Sequence, residues 1–369
     1  YIKNPNSKRT KAFKKIHKGI PHLLILTGTP IESKPIDIYN IVQAIDPSSF
    51  PNYVKFTLDY CDAKSDRYGW NTSGSKNTIK LNKILTRKLM IRRKKKDVLK
   101  ELPSKMVSHL PIEINNRTEY IKAENKLIDY IGERFDKDLQ TEEDFIKDIT
   151  DYAKRHEIDL ENKNNPTEED IKTIKELKIE KASAAVVLSQ IRVLMQLATE
   201  GKMEGVINWI RDFLESGEKL VLFAINKKII NALMKEFKDV AVKVDGSVKG
   251  KKRQDAVDKF QEDPKIQLFI GNIIAAGVGL TLTAASNVAI LQLPWDPGKL
   301  NQAIDRVHRI SQLRQVTVWY LLAQETIEGK LLEVLMEKEK TVSEVLDGKQ
   351  YVEKSMLQEL INKYRRKAA

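Results

Sequence analysis

KLVLFAIN, Lys219 to Asn226, is a short apolar run bounded by a lysine and an asparagine. It shows no polar alternation and is short for a helix. It therefore reads as a strand buried on both faces, the type found in parallel sheets. Runs of the same kind recur downstream: VAVKVDGS from Val240, IQLFIGN from Ile266, NVAILQLP from Asn287 and VTVWYLLA from Val316. Between them lie helical patterns such as KKIINALMKEF and KRQDAVDKFQ. Strands spaced by helices of this length predict an α/β fold, a parallel sheet with helices on both faces.

Upstream of this block the pattern changes. From 49 to 181 the chain has long charged helical stretches and few strand signals, which predicts a largely helical insertion. Its part from Asp136 to Lys178 is rich in Lys, Glu and Asp and poor in aromatics, as in a solvated protrusion. Before it, HLLILTGTP, His22 to Pro30, reads as another buried parallel strand opening into a small-residue turn. A helix carrying Ile36, Tyr39, Ile41 and Val42 is expected next, ended by Asp46-Pro47. Four segments result: 1–48, the helical insertion 49–181, the α/β block 182–340, and a charged helical tail 341–369.

Composition limits the function. Among 369 residues, 64 Lys and Arg against 51 Asp and Glu leave a formal charge of +13, which favours a polyanionic partner such as nucleic acid. The single cysteine, Cys61, excludes an intrachain disulfide and any multi-thiolate zinc site. Five scattered histidines offer no metal cluster, so no metal site is expected from this chain's own residues. No run of eighteen apolar residues and no secretion signal is present, and an intracellular protein is expected. The chain begins with Tyr1 and not with methionine, which reads as a fragment or a processed product.

In parallel α/β sheets, ligands bind at the carboxyl ends of the strands. Asp245-Gly246-Ser247, Gly271-Asn272 and Gln292-Leu293-Pro294-Trp295 all fall there. AAGVGLTL, Ala275 to Leu282, adds Gly277 and Gly279, which either admit a phosphate or simply form a turn. QAIDRVHRISQ, Gln302 to Gln312, is read as helical through Arg309 and then sets Arg306 and Arg309 on one face, with Gln302 a turn back. Planar guanidinium groups hold phosphate oxygens bidentately. The alternative is a surface helix whose arginines pair with acids such as Asp305. The run RRKKK, Arg92 to Lys96, reads either as a DNA-gripping strip or as a solvated helix face. Trp70 and Trp295 read as buried aromatics or as base-stacking platforms, and His308 as a hydrogen-bonding residue.

Taken in order, these blocks resemble the carboxyl-terminal part of superfamily 2 ATPases of the SWI/SNF type. LTGTPIES is similar to the third motif of that family, LMIRRKKKDVLKELPSK to a stretch in its helical insertion, and EKLVLFAINKK to its fourth motif. VDGS follows; GVGLTLTAASNVAILQLPWDPG resembles the fifth motif and QAIDRVHRISQ the sixth. YCDAK and GWNTSGSKN resemble the annealing-helicase (HepA-related) subgroup. The resemblance implies RecA-like lobes, the first of them incomplete, and ATP and Mg2+ as cofactors. Double-stranded or forked DNA is the implied partner.

By the same resemblance, Arg306 and Arg309 reach the ATP phosphates, Gln302, Gly277 and Gly279 shape the nucleotide-facing side, and Thr27, Gly28 and Thr29 couple nucleotide state to DNA. Lys227, Ser247 and Asn272 fall where the family touches a DNA backbone. Three positions depart from the pattern: Ser311 where Gly is usual, Ser33 where Asn is common, and Ile274 where a hydroxyl or basic residue is common. No G-x-x-x-x-G-K-[ST] loop occurs in the sequence, and the opening YIKNPNSKRTKA resembles what directly follows the family's Asp-Glu-x-His box. The chain alone is therefore expected to be inactive, with the phosphate loop and the magnesium site on a missing first lobe. A non-enzymatic DNA-binding or regulatory module is the second reading. The compartment follows the host: cytoplasm or nucleoid in a prokaryote or virus, nucleus in a eukaryote.

Overall fold

The computed structural model describes residues 2–4, 7–28, 30–31, 34–66, 69–72, 74–93, 95–136, 189–276 and 279–346. The expected solvated stretch beyond Asp136, the tail beyond Leu346, Thr29, Ser33 and Gly277 lie outside them. The chain divides into two compact units, residues 1–115 with 199–356 and residues 116–198 with 357–369.

The first unit holds a six-stranded sheet, and every pairing in it is parallel. Its strands are β3 (Lys105–Ile112), β4 (Leu220–Ala224), β5 (Ala241–Val244), β6 (Leu268–Asn272), β7 (Asn287–Ile290) and β8 (Val316–Ala323). Their spatial order is β3-β8-β7-β4-β6-β5. All five strands expected from the sequence of the α/β block are present. The central β4 is buried along its whole length, because helices cover both faces and each apolar side chain leaves water. Burial of a leucine such as Leu220 or Leu222 stabilises the fold by roughly 2 kcal/mol. On one face Val206 and Ile210 of the helix Met203–Glu215, and Ile230 and Leu233 of the helix Lys227–Glu236, pack against Leu222 and Ile270. Register levels the strand ends: Ala224 lies opposite Asn272, and Phe223 opposite Gly271 and Ile290.

Glycine is required at 271, where a Cβ would come within 2.8 Å of the Phe223 ring.

The sixth strand comes from the largely helical insertion, where the sequence carries few strand signals. KMVSHLPI, inside 49–181, forms β3 and pairs with β8 from Lys105↔Val316 to Ile112↔Ala323. It lies at the sheet edge, mostly exposed, so its sequence carries lysine, serine and histidine where a central strand is apolar. Pro111 fits there because an edge strand tolerates a missing N–H. A second pair, β1 (Lys64–Asp66) and β2 (Gly69–Asn71), forms an antiparallel hairpin in the same segment.

HLLILTGTP also departs from expectation. Residues 23–27 are not a strand, and Leu24 and Leu26 are 83% and 86% exposed. A buried parallel strand needs neighbours on both sides, and none of the described strands pairs with this run. The helix after it forms as expected, Tyr39–Ile45, and ends at Asp46. It belongs to a separate core of Ile38, Tyr39, Val42, Phe50, Phe56, Tyr60, Leu81 and Leu85.

The sheet is tied to the last described helix by one buried ion pair. Lys202 is fully buried; its Nζ donates to Glu328 Oε2 (2.6 Å) and to the carbonyls of Leu291 (2.7 Å) and Leu321 (2.6 Å). Glu328 Oε2 also accepts the Ala323 amide at 2.8 Å. Desolvation pushes the lysine below its usual pKa while the Glu328 charge opposes that shift. The helix Ile327–Leu346 runs through Thr341 without a break, so the expected boundary there falls inside a helix.

In the second unit, the helix Arg117–Asp136 buries Tyr120 and Leu127, and residues 189–198 bury Ile191, Leu194 and Ala198. Asn116 Nδ2 donates to Leu197 O at 3.0 Å.

Candidate functional site

The helix Pro297–Ile304 starts from a side-chain cap, with Asp296 Oδ1 accepting the Gly298 amide at 2.8 Å and proline at the first helical position. It ends at Ile304, five residues short of the helix expected through Arg309. Residues 305–311 are turns and bends held by backbone bonds such as His308 N to Ile304 O (3.0 Å). Arg306 and Arg309 therefore do not lie on one helical face. Arg306 Nε donates back to Gln302 O at 3.0 Å, closing the helix end. Arg309 Nη1 donates to Leu280 O and to Thr281 Oγ1, both at 3.0 Å.

Asp305 does not pair with the arginines. Its carboxylate takes Lys95 Nζ at 2.6 Å, and the same ammonium donates to His308 O at 2.8 Å. His308 Nε2 sits 2.9 Å from Pro103 O. One lysine of the RRKKK run thus braces the arginine turn internally. Among the described residues no carboxylate pairs with Arg309, whose bonds are to a carbonyl and a hydroxyl.

Gln312, which the sequence reading did not single out, holds the far end of the turn. It is buried, its Nε2 donates to Ala285 O (2.7 Å) and Thr283 O (3.3 Å), and its Oε1 accepts the Arg314 amide at 3.0 Å. A polar residue at the end of a charged turn carries no sequence signal for such a role. Ser311, where the resembled family has glycine, sits at φ +85°. That region costs a non-glycine residue roughly 1–2 kcal/mol. Ser311→Gly is expected to stabilise the chain by about 1 kcal/mol in urea unfolding, after the entropy lost to glycine in the unfolded chain. A destabilised variant would show that the serine side chain holds the turn.

The loop under Arg309 leads back to the strand ends. Gly279 lies at φ +71°, a conformation that glycine adopts freely. Gly250, Arg253, Ile274, Ala275, Gly279 and Leu280 line a cleft of about 440 Å³, with Arg253 Nη2 on Ala275 O at 2.9 Å. Leu280, whose carbonyl receives Arg309, is one wall of it. Asn272 fastens the other wall. Its Nδ2 donates to Ile225 O (2.8 Å) and its Oδ1 accepts the amides of Ile274 (3.0 Å) and Ala275 (3.1 Å). Gln292 Oε1 accepts the amides of Ile225 (2.9 Å) and Asn226 (2.8 Å), which sets the start of the helix that opens with Lys227.

Lys227 and Ser247 are exposed and approach one carboxylate, Asp245. Asp245 Oδ1 accepts the Ser247 amide at 2.8 Å and its hydroxyl. Burial pushes Asp245 up, but those two bonds, with the charges of Lys243 and Lys227, outweigh it and hold the carboxyl below its ordinary value. An acid held low stabilises the fold fully above its unfolded pKa and loses that contribution as pH falls through the lower folded value. Asp245→Asn should therefore flatten the fall in stability below about pH 4, read by urea midpoints across pH. An unchanged acid limb would remove Asp245 from this role.

The sequence-predicted residues thus form two groups that share the segments 272–276 and 279–285. Arg306, Arg309, Gln302 and Gly279 gather at the turn, and Lys227, Ser247 and Asn272 at the strand ends. Thr27 and Gly28 are exposed on the run that forms no strand. Trp295 and Trp70 are 38% and 37% exposed, against the buried reading. Among the described residues no cluster of His, Cys, Asp or Glu is placed to hold a metal ion, and no helix is long and apolar enough to cross a membrane.

Residues 1–192 match the SNF2-related domain, and residues 202–311 match the helicase conserved C-terminal domain. The chain is similar to the SWI/SNF-related matrix-associated actin-dependent regulator of chromatin subfamily A-like protein 1 of Xenopus tropicalis. The two are 32% identical over 93% of this chain and 32% of that protein. It is also similar to the DNA annealing helicase and endonuclease ZRANB3 of Homo sapiens, 28% identical over 95% of this chain and 29% of that protein. It spans about a third of the length of these curated relatives. A solved SWI2/SNF2 ATPase core from Sulfolobus solfataricus in complex with dsDNA overlays only loosely. Its TM-score is 0.45 at 22% identity, covering 94% of this chain and 66% of that one. With the SNF2-related domain over its first half and the helicase C-terminal domain on its parallel sheet, this chain belongs to the SNF2 family of helicase-like proteins.

Proposed function

We propose that this chain is the carboxyl-terminal motor portion of an ATP-dependent double-stranded DNA translocase, with hydrolysis at the junction of two RecA-like lobes. The observation that carries the reading is the Arg309 guanidinium, held on a braced turn by a carbonyl and a hydroxyl with no carboxylate partner among the described residues. Such a group exchanges weak neutral acceptors for phosphate oxygens, which bind it bidentately. Arg306, beside it on the same turn, is the second phosphate ligand in this reading, and Gln302, Gly277 and Gly279 shape the nucleotide-facing surface. The donor set fits a triphosphate and does not fit its magnesium ion, since among the described residues no acidic cluster lies here. The metal and the phosphate loop are assigned to a first lobe, and ATP when bound there supplies the phosphoryl group whose transfer drives movement.

Thr27, Gly28 and Thr29 couple the lobes in this reading, and Lys227, Ser247 and Asn272 form the DNA edge. Lys227 and Ser247 reach backbone phosphates directly; Asn272, its amide bonded on both sides to the loops, sets the Ile274 and Ala275 amides in place. Phosphate contacts position a protein without reading sequence, which suits a motor that moves over any sequence. The non-enzymatic alternative keeps the DNA edge and drops the arginine role. Its support is that no phosphate-loop motif occurs in these 369 residues. Hydrolysis by the intact protein, measured with and without duplex DNA, separates the two: stimulation by duplex supports the motor. Duplex binding with hydrolysis at background supports the module.

A further inference from the structure

A second basic surface lies on the segment between the exposed run at 23–27 and β3. The hairpin of β1 and β2 is fastened to the helix Tyr53–Tyr60 by Trp70, whose Nε1 donates to Thr57 Oγ1 at 2.6 Å. The loop after it is fastened to the end of the same helix. Lys76 N donates to Tyr60 O at 2.9 Å, and Asn77 Nδ2 to Asp59 O at 2.9 Å. The helix Thr78–Ile84 begins there and continues as a π-turn, Leu85–Leu89, closed by Met90 N to Leu85 O at 2.7 Å.

Leu81 and Leu85 face the core, which leaves Lys80, Lys83 and Arg87 exposed on the other side. No ion pair or side-chain hydrogen bond involves Lys76, Lys80, Lys83 or Arg87 among the described residues. Like charges at this spacing repel one another by a few tenths of a kcal/mol in the absence of an anion. The helix Tyr53–Tyr60 that anchors the start of this basic helix also anchors, through Thr57, an indole fixed by its edge and 37% exposed.

We propose that this surface binds single-stranded DNA. The Trp70 ring is a platform for an unpaired base, and Lys80, Lys83 and Arg87 track the backbone that leads from it. Basic side chains together with a rigid exposed aromatic are the combination that binds single strands, since stacking on a ring requires a base out of its pair. Duplex DNA offers that ring no free base face, so the indole adds affinity for single strands alone. The proposal shares with the motor reading only the premise that the chain meets DNA.

The test is fluorescence anisotropy of the 369-residue chain with a labelled oligothymidylate and, separately, a blunt duplex. Trp70→Ala is expected to weaken oligothymidylate binding roughly tenfold and leave duplex binding unchanged. The combined Lys80→Gln, Lys83→Gln and Arg87→Gln variant should lower the single-strand salt slope by about two. Equal losses on both DNAs, or no loss on the single strand, would overturn the proposal, as would a wild-type chain that binds duplex and no oligothymidylate. Failure of duplex binding with single-strand binding intact would count against the motor reading and not against this one. A measurement on the unaltered chain stands beside the variants. Photocrosslinking of 5-bromouracil-substituted oligothymidylate should join it to the peptide containing Trp70, and crosslinks confined to other peptides would contradict the proposal.

Discussion

Arg309→Ala, made in the intact protein, is expected to lower ATP turnover about a thousandfold while duplex binding stays within about twofold. The size follows from what an arginine supplies to phosphoryl transfer, namely a fixed charge where negative charge develops. Binding is expected to survive because the proposed DNA edge at Lys227 and Ser247 is built from other strand ends. Arg309→Lys separates charge from geometry. A lysine keeps the charge and loses the planar fork, so turnover should recover only in part. The fold should tolerate both changes, because Arg309 anchors only Leu280 O and Thr281 Oγ1, while Gln312, Lys95 and His308 hold the turn independently. Unchanged turnover in Arg309→Ala would remove the arginine from the mechanism.

Lys202→Met is expected to be the most damaging single change to stability, costing roughly 3–5 kcal/mol. It strands Glu328 as an uncompensated buried carboxylate and leaves the carbonyls of Leu291 and Leu321 without their donor. Restoring neutrality with Glu328→Gln in the same chain should return part of the loss, since the remaining charge is then gone. Urea unfolding of the single and double variants measures both. A loss below about 1 kcal/mol in Lys202→Met would show that water reaches the pair.

Much of this fold was legible before any coordinates. The strands β4, β6 and β7 are apolar runs without alternation, and only burial on both faces selects such a pattern, while β5 and β8 were legible from their Val-rich runs despite partly exposed positions. β3 escaped because an edge strand carries one exposed face and Lys105, Ser108 and Pro111 read as anything but sheet. HLLILTGTP failed in the opposite sense: its residues have the strand pattern, yet a parallel strand is made by its neighbours and not by its own sequence. At the site, the two arginines were legible as a pair, but their geometry was not. The helix stops at Ile304, and the partners that shape the turn come from 103, 95 and 280, far away in sequence. Gln312 and Lys95 were invisible as anchors for the same reason, since a long-range hydrogen bond leaves no periodic trace. Ser311 was visible as a departure from the resembled motif, and its positive φ explains why glycine is usual there.

The central claim is that the arginine turn completes a nucleotide site shared between two lobes. The most direct measurement is ATP hydrolysis by this chain alone, by a separately expressed first lobe alone, and by the two mixed, each with and without duplex DNA. The account predicts background rates for each piece and for DNA added to either, and hydrolysis in the mixture that rises when duplex is present. Hydrolysis by the first lobe alone at the rate of the mixture, or silence in every mixture of folded pieces, would contradict it.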